Sequence, residues 1–188
     1  MPFTAPQPRK KGFDAGVYEA VCYCVLDLGV QEDKFGTAHK MLIGWKMLDY
    51  TYEDGNYVSY HQTFTVKLSE RAKLTEVLSG WFIGQEINWS ETCFSKLINK
   101  SCKLVLAPNM NGNISVKNVL PSDRKEVIDN TEFFSFDDWQ LKENGEALPE
   151  FFNSERNGWK ADRIKQSLTY KEIKEVKQEI VVDEEVPF

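Results

Sequence analysis

The feature that most constrains the fold is a series of long stretches with the alternating pattern of β-strands. From Val17 to Leu28 every second residue is apolar or small, namely Tyr18, Ala20, Cys22, Cys24, Leu26 and Leu28. The opposite face carries Glu19, Tyr23 and Asp27, which predicts a half-exposed strand. Further strands are predicted over 37–50 and 57–68, on either side of the turn signal Asp54-Gly55-Asn56. Together these stretches predict a three-stranded antiparallel meander.

A helix and a hairpin are predicted after the meander. Ser69 can cap a helix whose apolar stripe consists of Leu74, Val77, Leu78 and Trp81. A shorter helical segment is expected near 90–99, and strands over 101–107 and 113–120 are joined by Asn111-Gly112, a strong hairpin signal. The predicted fold is therefore mainly β: a five-stranded OB-fold barrel, with a helix between its third and fourth strands.

The charge distribution divides the chain into a near-neutral body and an acidic end. The 188 residues carry a net charge of -6. Residues 1–122 hold 13 Lys/Arg and 12 Asp/Glu, a net +1, whereas residues 123–188 hold 10 and 17, a net -7. We therefore predict a flexible basic arm (1–15, with Arg9, Lys10 and Lys11), the barrel (16–122), an irregular or helical extension anchored by aromatic residues (123–170) and a disordered acidic tail (171–188).

Several classes of protein are disfavoured by the sequence. Apolar runs are too short to span a bilayer and the first residues lack the layout of a signal peptide, so we expect a cytoplasmic protein without a membrane partner. The four cysteines contain no CxxC pair and only two histidines accompany them, so we expect no metal site and no cofactor. Motifs of phosphate loops, serine hydrolases and zinc proteases are missing, which predicts a non-enzymatic protein. A nuclease that uses scattered carboxylates remains an alternative.

The last six residues combine three carboxylates, two apolar side chains and a proline. They are Asp183, Glu184, Glu185, Val186, Pro187 and Phe188. Such a peptide can place its phenyl ring in a pocket while its acids and terminal carboxylate meet Lys or Arg on the rim. This tip resembles that of bacterial single-stranded-DNA-binding proteins, which end in a run of Asp, an aliphatic residue, Pro and Phe. The resemblance implies that the tip recruits replication or recombination proteins.

The body resembles a family of phage-encoded single-stranded-DNA-binding proteins. The resemblance lies in 16–21, in 34–49, in the helix Leu74 to Gly80 and in Phe94 to Pro121, and later in 148–150 and 164–167. It implies an OB-fold, DNA binding without catalysis, and a place in the cytoplasm of an infected bacterial host. An adaptor whose barrel binds proteins and never nucleic acid is the alternative, and the sequence leaves homo-oligomerisation open.

Single-strand binding needs aromatic faces for the bases and cations for the phosphates. Trp45 has two interpretations: it is a core residue if Met41, Ile43 and Met47 are core, and a stacking platform if the strand carries a bulge. Tyr23, Tyr57 and His61 lie opposite apolar strand faces, where either base stacking or a cross-strand contact is open to them. The predicted nucleic-acid-binding residues are Tyr23, Lys34, Phe35, Lys40, Trp45, Lys46, Tyr57, His61 and Lys67.

Overall fold

The computed structural model describes residues 12–140 and 148–175. Its strands are β1 (Gly16–Asp33), β2 (Gly36–Thr51), β3 (Tyr57–Thr65), β4 (Ser101–Pro108), β5 (Ile114–Pro121) and β6 (Glu132–Phe134). Its helices are α1 (Lys73–Trp81), α2 (Phe136–Gln140) and α3 (Gly158–Gln166), with short 3-10 segments at Phe94–Leu97 and Glu150–Asn153 and a further helical stretch over 168–175. None of the helices in these ranges is both long and apolar enough to cross a membrane.

The strands form one six-stranded sheet in the order β3-β2-β1-β4-β5, with β6 parallel to β1. All other neighbours are antiparallel. β3 and β5 stand at the two ends of this path and meet through side chains: the Tyr60 hydroxyl donates to the Ile114 carbonyl (3.1 Å), and the Val116 N–H donates to Gln62 Oε1 (2.7 Å). The mainly β prediction is confirmed. The predicted five-stranded OB-fold barrel is not confirmed, because no backbone ladder joins β3 to β5 within the described ranges and the sheet has a sixth strand.

A bulge in β1 overturns the predicted continuous apolar face. Cys22 pairs with Trp45 and Cys24 pairs with Gly44, so one extra residue lies in β1 at this point. The extra residue shifts the alternation by one, which moves the following side chains to the other face as far as a second register shift between residues 27 and 29. Cys22 consequently lies in a first core, whereas Cys24 and the residues Leu26 and Leu28 lie in a second.

The first core lies between the sheet and α1. It contains the alternate residues Met41, Ile43, Trp45 and Met47 of β2. The predicted stripe of α1 is confirmed, because its four apolar side chains are buried here. The predicted cap is wrong: the helix begins at Lys73 with Ala72 at the N-cap, since Ser69 to Ala72 form a turn in which the Ala72 N–H donates to the Ser69 carbonyl (2.8 Å).

The second core lies on the opposite face of β1 and β2, beneath the residues that follow the sheet. It joins Tyr23, Leu26, Leu28 and Leu42 to a set of side chains from the C-terminal part: Phe134, Phe136, Trp139, Phe152, Ala161, Ile164 and Tyr170. Burial of these aromatic side chains, each worth about 1.5–3 kcal/mol or more, holds this part against the sheet. The face that the sequence predicted to be half-exposed is thereby covered, and α3 is placed beside β3.

Candidate nucleic-acid interface

A row of basic and aromatic side chains lies where α3 runs beside β3. Arg163 Nη1 donates to Thr63 Oγ1 (3.0 Å), and the Trp159 ring meets the His61 ring edge-on with centroids 5.8 Å apart. On the adjacent strand β2, Lys40 Nζ donates to Thr65 Oγ1 (3.0 Å). We call this row the β3–α3 surface, and define it by Lys40, Lys46, His61, Arg156, Trp159 and Arg163.

The cations of the β3–α3 surface differ in their partners. Arg156 Nη2 lies 3.5 Å from the Asp54 carboxylate, and Lys40 Nζ lies 3.9 Å from that of Asp33. Among the residues that the structure describes, Lys46 and Arg163 form no ion pair with a carboxylate. Lys46 and Arg163 are therefore the two cations of this surface whose charge is not offset by a neighbouring carboxylate, and an external anion can bind to them.

His61 and Tyr23 form the floor of this surface. Tyr23 Oη and His61 Nε2 are 2.6 Å apart, and the Lys46 ammonium lies 4.4 Å from the centroid of the Tyr23 ring. Burial lowers the pKa of His61 to about 4, and the charges of Lys160 and Lys46 contribute to the lowering. Burial raises the pKa of Tyr23. The neutral imidazole and the protonated Tyr23 hydroxyl therefore share this hydrogen bond, which fixes the ring orientation, and the tautomer of His61 determines which of the two groups donates.

Gly44 allows β2 and β3 to come together at this point. A Cβ placed on Gly44 would lie 2.6 Å from His61 Cδ2 and 2.9 Å from the Cβ of Cys24. Both distances are shorter than van der Waals contact permits. Glycine is therefore required here for the imidazole to lie over β2 and reach Tyr23.

Beneath the floor lies a buried ion pair between Lys160 of α3 and Glu132 of β6. Lys160 is 1% exposed, and its ammonium contacts Glu132 Oε2. The other carboxylate oxygen accepts from Asn157 Nδ2 (2.8 Å). The Lys160 ammonium also lies 5.7 Å from the centroid of the Tyr23 ring and 5.8 Å from that of Trp159. The pair thus connects α3, β6 and the floor of the β3–α3 surface.

The depressed pKa of His61 predicts a pH dependence of stability. Unfolded His61 takes up its proton near pH 6.5, whereas the folded protein resists protonation until about pH 4. Its contribution is therefore fully present above pH 6.5 and is lost as the pH falls towards 4, a change of up to about 3 kcal/mol. Urea unfolding of the wild type and of His61→Gln from pH 7 to pH 4 measures it, and the stability difference between the two should shrink across this range.

His39 is the control for this titration. It lies 2.6 Å from the Asp27 carboxylate, and this hydrogen bond raises its pKa above 6.5. Its contribution is therefore present below pH 6.5 and lost as the pH rises through the folded pKa. The stability difference for His39→Gln should change in the opposite direction. A difference between wild type and His61→Gln that is constant from pH 7 to pH 4 would contradict the assignment.

Four of the predicted residues lie at the surface around the β1–β2 turn and the end of β3. Phe35 is 86% exposed at the tip of the hairpin, and the Lys34 ammonium lies 4.8 Å from its ring centroid. Lys67 is exposed just after β3, where the Val66 N–H donates to the His39 carbonyl (2.8 Å). With Lys40, these side chains extend the β3–α3 surface towards the β1–β2 turn.

Three other predicted residues are not free to stack on bases. Trp45 is 0% exposed in the first core, so of its two interpretations the structure supports packing. Tyr23 is 4% exposed, because the C-terminal part covers the face to which it belongs. Tyr57 is half-buried, with its hydroxyl 3.5 Å from Glu126 Oε1. The physical reason is the same for Tyr23 and Tyr57: residues far along the chain lie over the sheet.

The sequence interpretation missed the contribution of α3. Trp159 lies in the extension that the sequence predicts to be anchored by aromatic residues, yet it is 42% exposed beside His61. Arg163 follows it by four residues, and that spacing places both side chains on one face of a helix. The helical spacing of an aromatic and a basic residue was the available signal. What it could not reveal is that this face lies next to β3.

The boundaries of the predicted arm and tail change in the structure. Phe13 belongs to the predicted arm, yet its ring packs against Tyr18 (centroids 5.2 Å apart) and Tyr50 (5.8 Å). Residues 171–175 belong to the predicted tail, yet they are helical, and Ile173 packs against the second core. Arg9, Lys10 and Lys11 and the tip from Asp183 to Phe188 lie outside the described residues.

Three of the four cysteines pack inside the two cores. Cys22, Cys24 and Cys102 are buried and Cys93 is exposed. Burial raises the pKa of the three buried thiols, which keeps them protonated. The expectation that Cys22 and Cys24 share a face is wrong, because the bulge separates them. Across 12–140 and 148–175, no group of three His, Cys, Asp or Glu side chains is placed to hold a metal ion.

Comparison with known proteins does not assign the chain to a family. No family model matches it, and no curated protein is significantly similar to it.

Proposed function

We propose that the chain binds single-stranded DNA with little sequence preference, in phage DNA replication or recombination in the host cytoplasm. The β3–α3 surface and the β1–β2 turn would form the binding surface. The observation that carries the proposal is the alignment of Lys46, Arg163 and the half-exposed Trp159 along one side of the sheet. Single strands are bound by cations that follow the phosphates and by rings on which bases stack, without reading base edges.

The strand arrangement supports this proposal. An OB-fold is a partly open five-stranded Greek-key barrel that binds oligonucleotides on its second and third strands and on the loop between the first and second. The path β3-β2-β1-β4-β5, with α1 between β3 and β4, is compatible with that fold. The β3–α3 surface lies along β2 and β3, and Phe35 lies in the loop between β1 and β2. We therefore infer an OB-like arrangement whose binding face is widened by α3.

The acidic tip completes the proposal. Asp183 to Phe188 would recruit replication or recombination proteins, with Phe188 in a pocket of the partner and the acids on a basic rim. The support for this part is the chemistry of the six residues.

A protein-binding adaptor is the second candidate. The Arg156–Asp54 pair and the net charge of -6 favour it, because both reduce the attraction of the surface for phosphates. In an adaptor the same exposed rings would contact a protein partner. Substitutions in the β3–α3 surface would then have no effect on DNA binding.

Trp159→Ala is expected to weaken binding of the full-length protein to a fluorescent poly-dT oligonucleotide by about 5- to 150-fold. One stacked base contributes ~1–3 kcal/mol, and the ring offers that stacking face. Phe35→Ala should have an effect in the same range. Fluorescence anisotropy at fixed salt measures both, and thermal unfolding verifies that the variants are folded.

The matched control is Trp89→Ala, since Trp89 is a partly buried tryptophan that packs with the first core, away from α3. It should leave the affinity within about twofold. No binding of the wild type at low salt would refute the proposed function and leave the adaptor. Equal affinities for wild type, Trp159→Ala and Phe35→Ala would refute the binding surface.

A further inference from the structure

Lys46 differs from the other cations of the β3–α3 surface in its immediate neighbours. Its side chain is half-buried on β2, and its ammonium lies 4.4 Å from the centroid of the Tyr23 ring. The Lys160 ammonium lies 5.7 Å from the same centroid. Lys160 is paired with Glu132, whereas no carboxylate of the described ranges forms an ion pair with Lys46. Lys46 thus shares one aromatic ring with a second cation and has no anion of its own.

These surroundings favour the neutral amine of Lys46. The titratable and charged groups that face it are Tyr23, Cys24, His61, Glu132, Arg156 and Lys160. Burial lowers the pKa of Lys46; the carboxylate of Glu132 opposes this lowering, and the charge of Lys160 adds to it. Tyr23 and His61 are both uncharged at neutral pH. A lysine that is desolvated and lies next to another cation is a better nucleophile than an exposed lysine, because more of its amine is deprotonated.

The amine lies beside the proposed path of a DNA strand. The Tyr23 ring, which Lys46 contacts, is hydrogen-bonded to His61, and the His61 ring meets the half-exposed ring of Trp159. A strand stacked on Trp159 would pass over this floor. A nucleotide that has lost its base has no ring to stack, and its ring-opened deoxyribose carries an aldehyde at C1′. An aldehyde within a polyanionic strand is therefore the electrophile that this surface is suited to meet.

We propose that Lys46 captures abasic sites in single-stranded DNA by forming an imine with the C1′ aldehyde. The inference rests on the proposed function, since DNA binding brings the aldehyde to the amine. The nitrogen lone pair of the neutral amine attacks C1′ and forms a C–N bond. The C–O bond then breaks, and the carbonyl oxygen leaves as water with the two protons that Nζ loses. The step needs no oxidant and no reductant, and hydrolysis of the imine reverses it.

The other cations of the surface are less suited to this reaction. The guanidinium groups of Arg156 and Arg163 stay protonated and have no nucleophilic lone pair to offer. The Lys40 ammonium lies 3.9 Å from the Asp33 carboxylate, which stabilises its charged form. These cations would hold the phosphates on either side of the abasic nucleotide, and this positioning raises the effective concentration of the aldehyde at Lys46. The protein would thus stay longer on a damaged strand than on an intact one.

The test is covalent trapping of the full-length protein on a poly-dT oligonucleotide with one central abasic site. Sodium borohydride reduces an imine to a stable amine, so the complex survives denaturing electrophoresis. The wild type should be trapped on this oligonucleotide and not on the intact one, which has no aldehyde. Lys46→Arg keeps the charge and removes the nucleophile, and should lower the trapped fraction about tenfold or more. Mass spectrometry of the digested complex should locate the adduct on Lys46.

The matched control is Lys117→Arg/Lys125→Arg, which changes two exposed lysines outside the β3–α3 surface. It should be trapped to the same extent as the wild type. Anisotropy with the same two oligonucleotides separates the two hypotheses: no binding of either by the wild type would refute the proposed function, and this inference with it. Normal binding with equal trapping of wild type and Lys46→Arg, or an adduct spread over the exposed lysines, would overturn the capture by Lys46 alone. Circular dichroism verifies the fold of each variant.

Discussion

Replacing Lys160 by Met is expected to lower the free energy of unfolding by about 3–5 kcal/mol. The Lys160 ammonium is 1% exposed and contacts the carboxylate of Glu132, which is itself mostly buried. Methionine fills a similar volume, so the loss comes from the charge rather than from a cavity. Glu132 would keep its hydrogen bonds from Asn157 and from the Cys24 thiol but would lose its cation, and a buried carboxylate without a cation is strongly unfavourable. Urea unfolding at pH 7, followed by tryptophan fluorescence, measures the change.

The double variant Lys160→Met/Glu132→Gln separates the charge from the packing. Glutamine can still accept a hydrogen bond from Asn157 and carries no charge, so most of the lost stability should return. If Lys160→Met lowered the free energy of unfolding by less than about 1 kcal/mol, the buried ion pair would not be important for stability. A double variant as unstable as the single one would show that the methylene packing of Lys160 matters instead.

The second large effect is expected from Arg156→Glu/Arg163→Glu. Both arginines flank Trp159 on the β3–α3 surface, and their reversal replaces two cations by two anions along the proposed path of the phosphates. The affinity for poly-dT should fall about 100-fold at low salt. Both side chains are partly exposed, so the fold should be little changed.

The salt dependence distinguishes a loss of phosphate contacts from a general change of charge. For single strands, the magnitude of the slope of log K against log salt falls by about 0.7 for each phosphate contact removed. The double variant should therefore lose about 0.7 from Arg163, and up to about 0.7 more from Arg156, whose charge is shared with Asp54. Anisotropy titrations at several salt concentrations measure this slope. Lys117→Glu/Lys125→Glu has the same net charge and should keep the wild-type slope. Equal slopes and affinities for both double variants would exclude the β3–α3 surface as the path of the strand.

The site could be predicted from the sequence only where its residues lie on one strand or one turn. Lys34 and Phe35 are adjacent in a two-residue turn between two long strands, and such a tip is exposed in most tertiary settings. The alternation of β1 predicts a solvent-facing position for Tyr23, because such a pattern depends only on neighbouring residues. Its cover comes from residues more than a hundred positions later, and no periodicity within β1 contains that information.

The sequence by itself determined the elements whose signals are local. The alternation of β2, the stripe of α1 and the glycine turns near residues 55 and 112 each depend on a few neighbouring residues, and the structure contains all of them. The bulge between Cys22 and Cys24 was decided by tertiary structure, since one extra residue in β1 matters only in relation to its partner strand. Tertiary structure also decided which face of the sheet meets solvent. The extension buries its aromatic side chains against that face, and this long-range packing is what places Trp159 and Arg163 beside β3.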